Sequence, residues 1–382
     1  MTSVSNLPCP PFPRAGQQRA YWRAPNSPTT MALAISQAAR QHDGLILAIT
    51  RDTHSASALE NDLLIVAGDL PLLHFPDWET LPYDLFSPHP DIVSQRIAAL
   101  YRLPSIKRGI LVVPVASLMQ RLSPPDWIAG NVLDLHKGQK LDLDQEKRRL
   151  EASGYRHVPQ VNDPGDFAVR GALLDLYPMG SDVPYRIELF DDEIDSLRSF
   201  DPETQRSDYP VDSVRLLPAR EFPLDAAGTK KARQNLSEQF EFDARRCTIY
   251  QDLKEGVAPN GIEYYLPLFF DQTASLFQHL PTNSLIISGV GVETSSENFW
   301  QQTSERWEQR RHDLERPILS PAQLFLSPDE LRAQCNQRPR IEMCGELHPQ
   351  YPKAIAIAEQ VVPSLPWTQK NEVPGFALHA FL

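Results

Sequence analysis

Glycine is scarce here: 17 of 382 residues, about 4.5%, where globular chains average ~7%. Proline is in excess, 35 residues or about 9% against the usual ~5%. Few glycines and many prolines exclude a flexible low-complexity tract and point to stiff connections between packed elements. The four cysteines, Cys9, Cys247, Cys335 and Cys344, are scattered, with no C-x-x-C pair and no histidines at ligand spacing. That pattern excludes a disulfide scaffold or zinc site and fits free thiols in a reducing cytoplasm. No run of ~18 apolar residues exists, and Met1 to Pro13 holds no apolar core of a secretory leader, so no membrane span is expected. Positive charge is also short. Lysine plus arginine number 37 against 49 acids, a net −12, which argues against a chain that coats DNA or an anionic membrane.

The motifs of common chemistries are missing too. There is no G-x-x-x-x-G-K-[ST], whose backbone N–H groups and lysine would hold nucleotide phosphates. The stretch where it would stand, Trp22 to Thr30 before the first expected helix, has neither glycine nor lysine, and Pro25 and Pro28 remove backbone donors. Gly289-Val290-Gly291 lacks the third glycine of a dinucleotide fingerprint and reads as a structural turn. Ile187 to Glu193 imitates a strand ending in magnesium-binding acids, but Glu188 interrupts the apolar run; a solvated acidic turn is the better reading. H-E-x-x-H, G-x-S-x-G and EF-hand patterns are absent. The ten histidines are dispersed, and His89 sits in a stiff Pro88-His89-Pro90 turn. No catalytic residue, cofactor site or metal site is expected in this chain.

Length alone implies two to three domains. Buried strands are expected at Leu45–Ile49, Leu72–Phe75 and Gly109–Val115, alternating with helices at Thr29–Gln41, 54–64 and Ile92–Leu103. That alternation predicts a parallel sheet covered on both faces. Near Gly130 the pattern changes. A strand at Asn131–Leu135 and a charged helix at Asp144–Ser153 precede short strands broken by Gly and Pro from Asp166 to Arg198, an α+β pattern. After Val214–Leu217, a long helix is expected at Asp225–Arg245, strands at Ile262–Phe270, Leu285–Ser288, Gln323–Leu326 and Arg340–Met343, and helices at Thr294–His312 and Pro328–Cys335. The simplest topology is an α/β domain carrying an inserted α+β domain. Phe376–Leu382 reads as the start of a further helix.

One segment departs from pattern. Alternation along Tyr185–Phe190 puts Tyr185, Ile187 and Leu189 on one face and Arg186, Glu188 and Phe190 on the other. The second face should be polar, yet it holds Phe190, with Arg170 on a neighbouring strand. An aromatic beside arginines on a wet sheet is the composition of a protein-binding hot spot. The alternative is that Phe190 packs under a loop. Residues 151–212 carry fourteen acids and five arginines without a lysine, a balance of −9, so a nucleic-acid partner would be repelled and a basic protein surface attracted. The isolated arginines could pair with carboxylates of that surface.

Several segments resemble the N-terminal region of bacterial transcription-repair coupling factors: Trp78-Glu79-Thr80-Leu81-Pro82-Tyr83-Asp84, Phe86-Ser87-Pro88-His89, Leu100-Tyr101-Arg102-Leu103-Pro104, Gly154-Tyr155-Arg156-His157-Val158, Arg170-Gly171-Ala172-Leu173-Leu174-Asp175-Leu176-Tyr177-Pro178-Met179-Gly180, Phe190 to Arg198, Leu217 to Pro223, and Gly261-Ile262-Glu263-Tyr264-Tyr265. The resemblance covers about residues 15–345. It implies a region similar to the repair subunit UvrB, with a RecA-like, P-loop-NTPase-like but degenerate core split by an inserted α+β domain that docks onto UvrA. The implied division is a flexible tail (1–14), first core part (15–129), inserted UvrA-binding domain (130–212), second core part (213–345), and a linker with the start of a next domain (346–382). Arg170, Arg186 and Phe190 stand where the family's UvrA contacts are expected. UvrB has a working phosphate loop and a long DNA-gripping hairpin; here the loop is missing, and Phe86–Asp91 leaves room only for a short turn. RNA polymerase, double-stranded DNA, ATP and Mg belong to motor and polymerase-binding domains later in the family's chain. The family role implied is a cytoplasmic adaptor linking stalled polymerase to excision repair. The competing reading is a UvrB-like ATPase that binds damaged DNA.

Overall fold

A computed structural model describes residues 8–241, 243–345 and 354–356. Its centre is a seven-stranded, wholly parallel sheet. Four strands come from the first part of the chain: β1 (Arg19–Arg23), β2 (Leu45–Thr50), β3 (Leu72–His74) and β4 (Gly109–Pro114). β2 and β4 are buried at every position, as expected of apolar runs with helices on both sides. Along β2, Ile46 and Ala48 point into a cluster with Ala34, Ile35 and Ala38 of the helix Pro28–Gln41. Leu45, Leu47 and Ile49 point the other way, toward Leu100, Leu118 and Leu276.

After β4 the chain leaves this sheet and forms β5 (Leu133–His136), β6 (Arg156–His157), β7 (Asp166–Arg170), β8 (Leu173–Leu176), β9 (Tyr185–Phe190), β10 (Glu193–Phe200), β11 (Ser207–Pro210) and β12 (Ser213–Leu216). β5 and β12 pair antiparallel, so the outgoing and returning strands form a ribbon at the neck of the insertion. The rest make a six-stranded mixed sheet in the order β11-β10-β9-β8-β7-β6. The inner face of that sheet packs Phe167, Leu174, Ile187 and Leu197 with Val93 and Ile97 of the core helix Pro90–Arg102. The core sheet is completed by β13 (Leu285–Ser288), β14 (Arg340–Cys344) and β15 (Ile355–Ala356), giving the order β15-β1-β14-β13-β2-β4-β3.

The lobe is tied to the core by buried polar groups. Arg96 is fully buried and pairs with Glu221, just after the neck, at 2.6 Å. Tyr155 Oη donates to the Leu217 carbonyl at 2.7 Å, and the Gly180 N–H donates to Ser94 Oγ at 2.7 Å.

Several sequence expectations are corrected. Ile262–Phe269 is a 3-10 helix, not a strand: Gly261 enters it in a left-handed conformation (φ 72°) and Pro267 lies inside. Gln323–Leu326 is not a strand either. Ser320 and Gln323 form a capping box around the short helix Pro321–Leu324. The helix expected through Arg245 ends at Gln239, and a separate one covers Thr248–Lys254. Strand β1 had no counterpart in the sequence reading. Of the N-terminal stretch expected to be loose, Cys9 and Phe12 pack against the core, so that part is held. The helix start expected at 376–382 lies outside the described residues.

Candidate docking surface on the inserted lobe

The antiparallel order places the β7–β8 and β9–β10 turns at the same end of the lobe sheet. Arg170 and Phe190 are the last residues of β7 and β9, so both stand at this end. Registers Arg170↔Leu173 and Leu173↔Glu188 put them on the same outer face. Strand spacing and rise set their Cα atoms about 12 Å apart. Phe190 is 76% exposed and joins none of the apolar clusters among the described residues. Of the two readings of this ring, packing under a loop is therefore the wrong one. The loop that does cover the outer face sits elsewhere, where Val161 packs on Ala168 and Phe200.

The turn that carries Phe190 is braced. Asp191 adopts a left-handed conformation (φ 54°), uncommon for a non-glycine residue. Behind it, Leu141 N donates to Asp192 O at 2.7 Å, Gly138 N to Ile194 O at 2.8 Å, and Ile194 N to Gln139 O at 2.8 Å. Lys140 Nζ reaches Asp192 Oδ2 at 2.8 Å, and that hydrogen bond holds Asp192 below the usual carboxylate range. The loop after β5 thus fixes the hairpin tip to the neck, and none of these partners was singled out from sequence.

Arg170 and Arg186 differ in what they can offer. Arg170 is half exposed; its Nη2 donates to the Pro159 carbonyl at 2.5 Å and its Nη1 lies 3.9 Å from Asp175. Arg186 is occupied. Nε and Nη2 bind both oxygens of the buried Asp175 at 2.7 and 2.9 Å, and Nη1 faces Gln205 O and Ser207 Oγ at 3.3 Å each. Its guanidinium also lies 5.1 Å from the centre of the Phe200 ring. The Asp175 hydrogen bonds hold its charge still more firmly. The expectation that both arginines wait for partner carboxylates is corrected for Arg186: it cross-ties β8, β9 and β11. Asp175, one strand over, was invisible as its partner until the register was known.

At the carboxyl ends of the core strands, the four residues Ala24–Ser27 join β1 to the helix Pro28–Gln41, with Ser27 Oγ capping Thr30 N at 3.3 Å. A cavity of about 160 Å³ lies here, lined by Met31, Ile35, Ala48, Leu59, Ile287 and Met343 among others. A wider cleft of about 670 Å³ opens beside β14, but its arginines are taken: Arg19 and Arg340 pair with Glu342, and Arg332 with Glu293. Gly289 is a packing turn, since a Cβ there would meet the Ile49 carbonyl at 2.9 Å. His89 Nδ1 accepts from Asp91 N as a helix cap. Among the described residues no cluster could hold a metal ion, and no helix is long and apolar enough to cross a membrane.

Comparison with known proteins identifies the lobe. Residues 133–222, from the start of β5 to just beyond β12, match the family described as the UvrB interaction domain. The chain is 46% identical to the transcription-repair-coupling factor of Haemophilus influenzae over 321 residues, 84% of this chain and 28% of the relative. It is 40% identical to that of Escherichia coli K12 over 370 residues, 97% of this chain and 32% of the relative. The Bacillus subtilis factor is 30% identical over 257 residues, 63% of this chain and 22% of the relative. The chain spans less than a third of the length of these relatives. It is a homologue of the transcription-repair-coupling factors that carries a UvrB interaction domain.

Proposed function

We propose that this chain is a UvrA-recruiting adaptor and that the outer face of its inserted lobe is the docking surface. The observation that carries the reading is Phe190: a phenyl ring 76% exposed on a braced turn, inside the matched domain. An exposed aromatic held on a fixed turn with an arginine on the same face has the composition of a protein-binding hot spot. Arg170, at the same end of the face, is the accompanying cation; Arg186 contributes by holding the sheet. In this proposal the chain performs no catalysis. The proposal assigns RNA polymerase, double-stranded DNA, ATP and Mg to the parts of the longer relatives that this chain does not match.

Capture of UvrA on the immobilised chain tests the reading. Phe190→Ala should lose most of the capture, as expected of a hot-spot aromatic worth ~2 kcal/mol or more. Undiminished capture by that variant refutes it.

The rival reading, a UvrB-like ATPase, draws on the parallel sheet and its strand–loop–helix junction. Against it stand Pro25 and Pro28, which remove backbone donors from that junction, and the mostly apolar lining of the cavity there, Met31, Ile35, Ala48, Leu59, Ile287 and Met343. Micromolar binding of a fluorescent ATP analogue would restore it.

A further inference from the structure

The arginines of the lobe sheet and its turns are not equally neutralised. Arg156 pairs with Asp166 at 2.8 Å and Asp163 at 3.6 Å, and Arg186 and Arg170 share Asp175. Arg206 is exposed on the Asp201–Arg206 turn, where water can serve it. Arg198 is the exception. It lies mid-strand in β10, half-buried, and among the described residues it has no hydrogen-bond or ion-pair partner. The stretch that leaves it unpaired, residues 151–212, carries fourteen acids against five arginines.

Its position makes this costly. Register places Arg198 directly opposite Arg186, on the same outer face as Phe190. Like charges directly across a strand pair repel. Asp175 does not relieve Arg198, because it belongs to β8, on the far side of β9. A half-buried guanidinium without an acceptor is disfavoured by desolvation as well. Strand rise and strand spacing put Arg198 about 14 Å from Phe190, within the ~800 Å² that one partner contributes to a standard interface.

We propose that Arg198 is a further contact of the docking face and takes a carboxylate of the partner protein. The proposal rests on the docking reading above. Arg186, held by Asp175, then sets the shape of the face, while Arg198 supplies the unspent charge. A phosphate backbone is the less suitable acceptor, since residues 151–212 around it carry a balance of −9.

The test is a titration of UvrA against the full chain at several salt concentrations, with Arg198→Ala, Arg198→Lys, Arg198→Glu and Phe190→Ala. The expected result is about tenfold weaker binding for Arg198→Ala, a larger loss for Arg198→Glu, and substantial recovery in Arg198→Lys. The salt dependence of Arg198→Ala should be shallower than that of the wild type, with a melting temperature unchanged or raised because a like-charge neighbour is gone. A merely structural role would lower the melting temperature and leave the salt dependence as it was. Arg198→Ala binding within twofold of wild type, while Phe190→Ala abolishes binding, overturns this inference and leaves the docking surface standing. Full binding by Phe190→Ala overturns both.

Discussion

Arg96 provides the sharpest prediction about how the lobe is held. Its side chain has no exposure and that of Glu221 is 5% exposed. Nε meets Oε1 at 2.6 Å, Nη2 meets Oε2 at 3.4 Å, and Nη1 donates to the Pro76 carbonyl at 2.9 Å. The guanidinium lies over the rings of Phe75 and Trp78 at 4.2 and 5.0 Å. Arg96→Met keeps most of the volume but leaves Glu221 buried without a countercharge. Breaking a buried pair in this way costs about 3–5 kcal/mol, with about 1 kcal/mol more for the orphaned carbonyl. Replacing both members, Arg96→Met with Glu221→Leu, removes the stranded charge, so the double variant should recover most of the loss. Urea unfolding followed by tryptophan fluorescence measures all three, with Trp78 as a local reporter. A cost below about 1 kcal/mol for Arg96→Met, or a double variant as unstable as the sum of the singles, would refute the reasoning.

Other outcomes follow from the same contacts. His279 is buried, its Nε2 lies 3.0 Å from the Ser123 carbonyl, and burial pulls its pKa below the ordinary 6.5. Its folded pKa is depressed, so the unfolded chain takes up the proton first, and stability falls as pH drops below 6.5 toward the folded value. Glu221 opposes that shift only in part. His279→Gln should therefore flatten the acid limb of the stability–pH curve, by up to about 1.4 kcal/mol per pH unit; an unchanged slope contradicts this. Gly180 sits at φ 78°, and an added Cβ would come within 2.9 Å of the Ala98 Cβ on the core helix. Gly180→Ala should destabilise the chain by about 1–3 kcal/mol in the same urea assay.

The core strands were readable because their residues tell the same story at every level. Leu45–Ile49 and Gly109–Val113 are unbroken apolar runs, and a strand covered on both faces needs nothing else. The same signal misled at Ile262–Phe269, another buried apolar run, where Gly261 and Pro267 turn the chain into a 3-10 helix. β1 was hidden for the opposite reason: Arg19 pairs with Glu342, and only Trp22 is fully buried, so no apolar run marks it. On the lobe, Phe190 was legible as an aromatic out of phase with its strand. The occupation of Arg186 and the isolation of Arg198 were not, because both depend on which strands lie next to β9. That order is a property of the sheet and not of any local stretch.

Amide hydrogen exchange of the chain with and without UvrA tests the central claim most directly. Binding through the outer face should slow exchange at residues 170–173, 188–193 and 196–198, leaving the junctions at 24–28, 50–55 and 289–294 unchanged. Protection confined to those core junctions, with the lobe unaffected, would contradict the docking account and move the interface to the carboxyl edge of the parallel sheet.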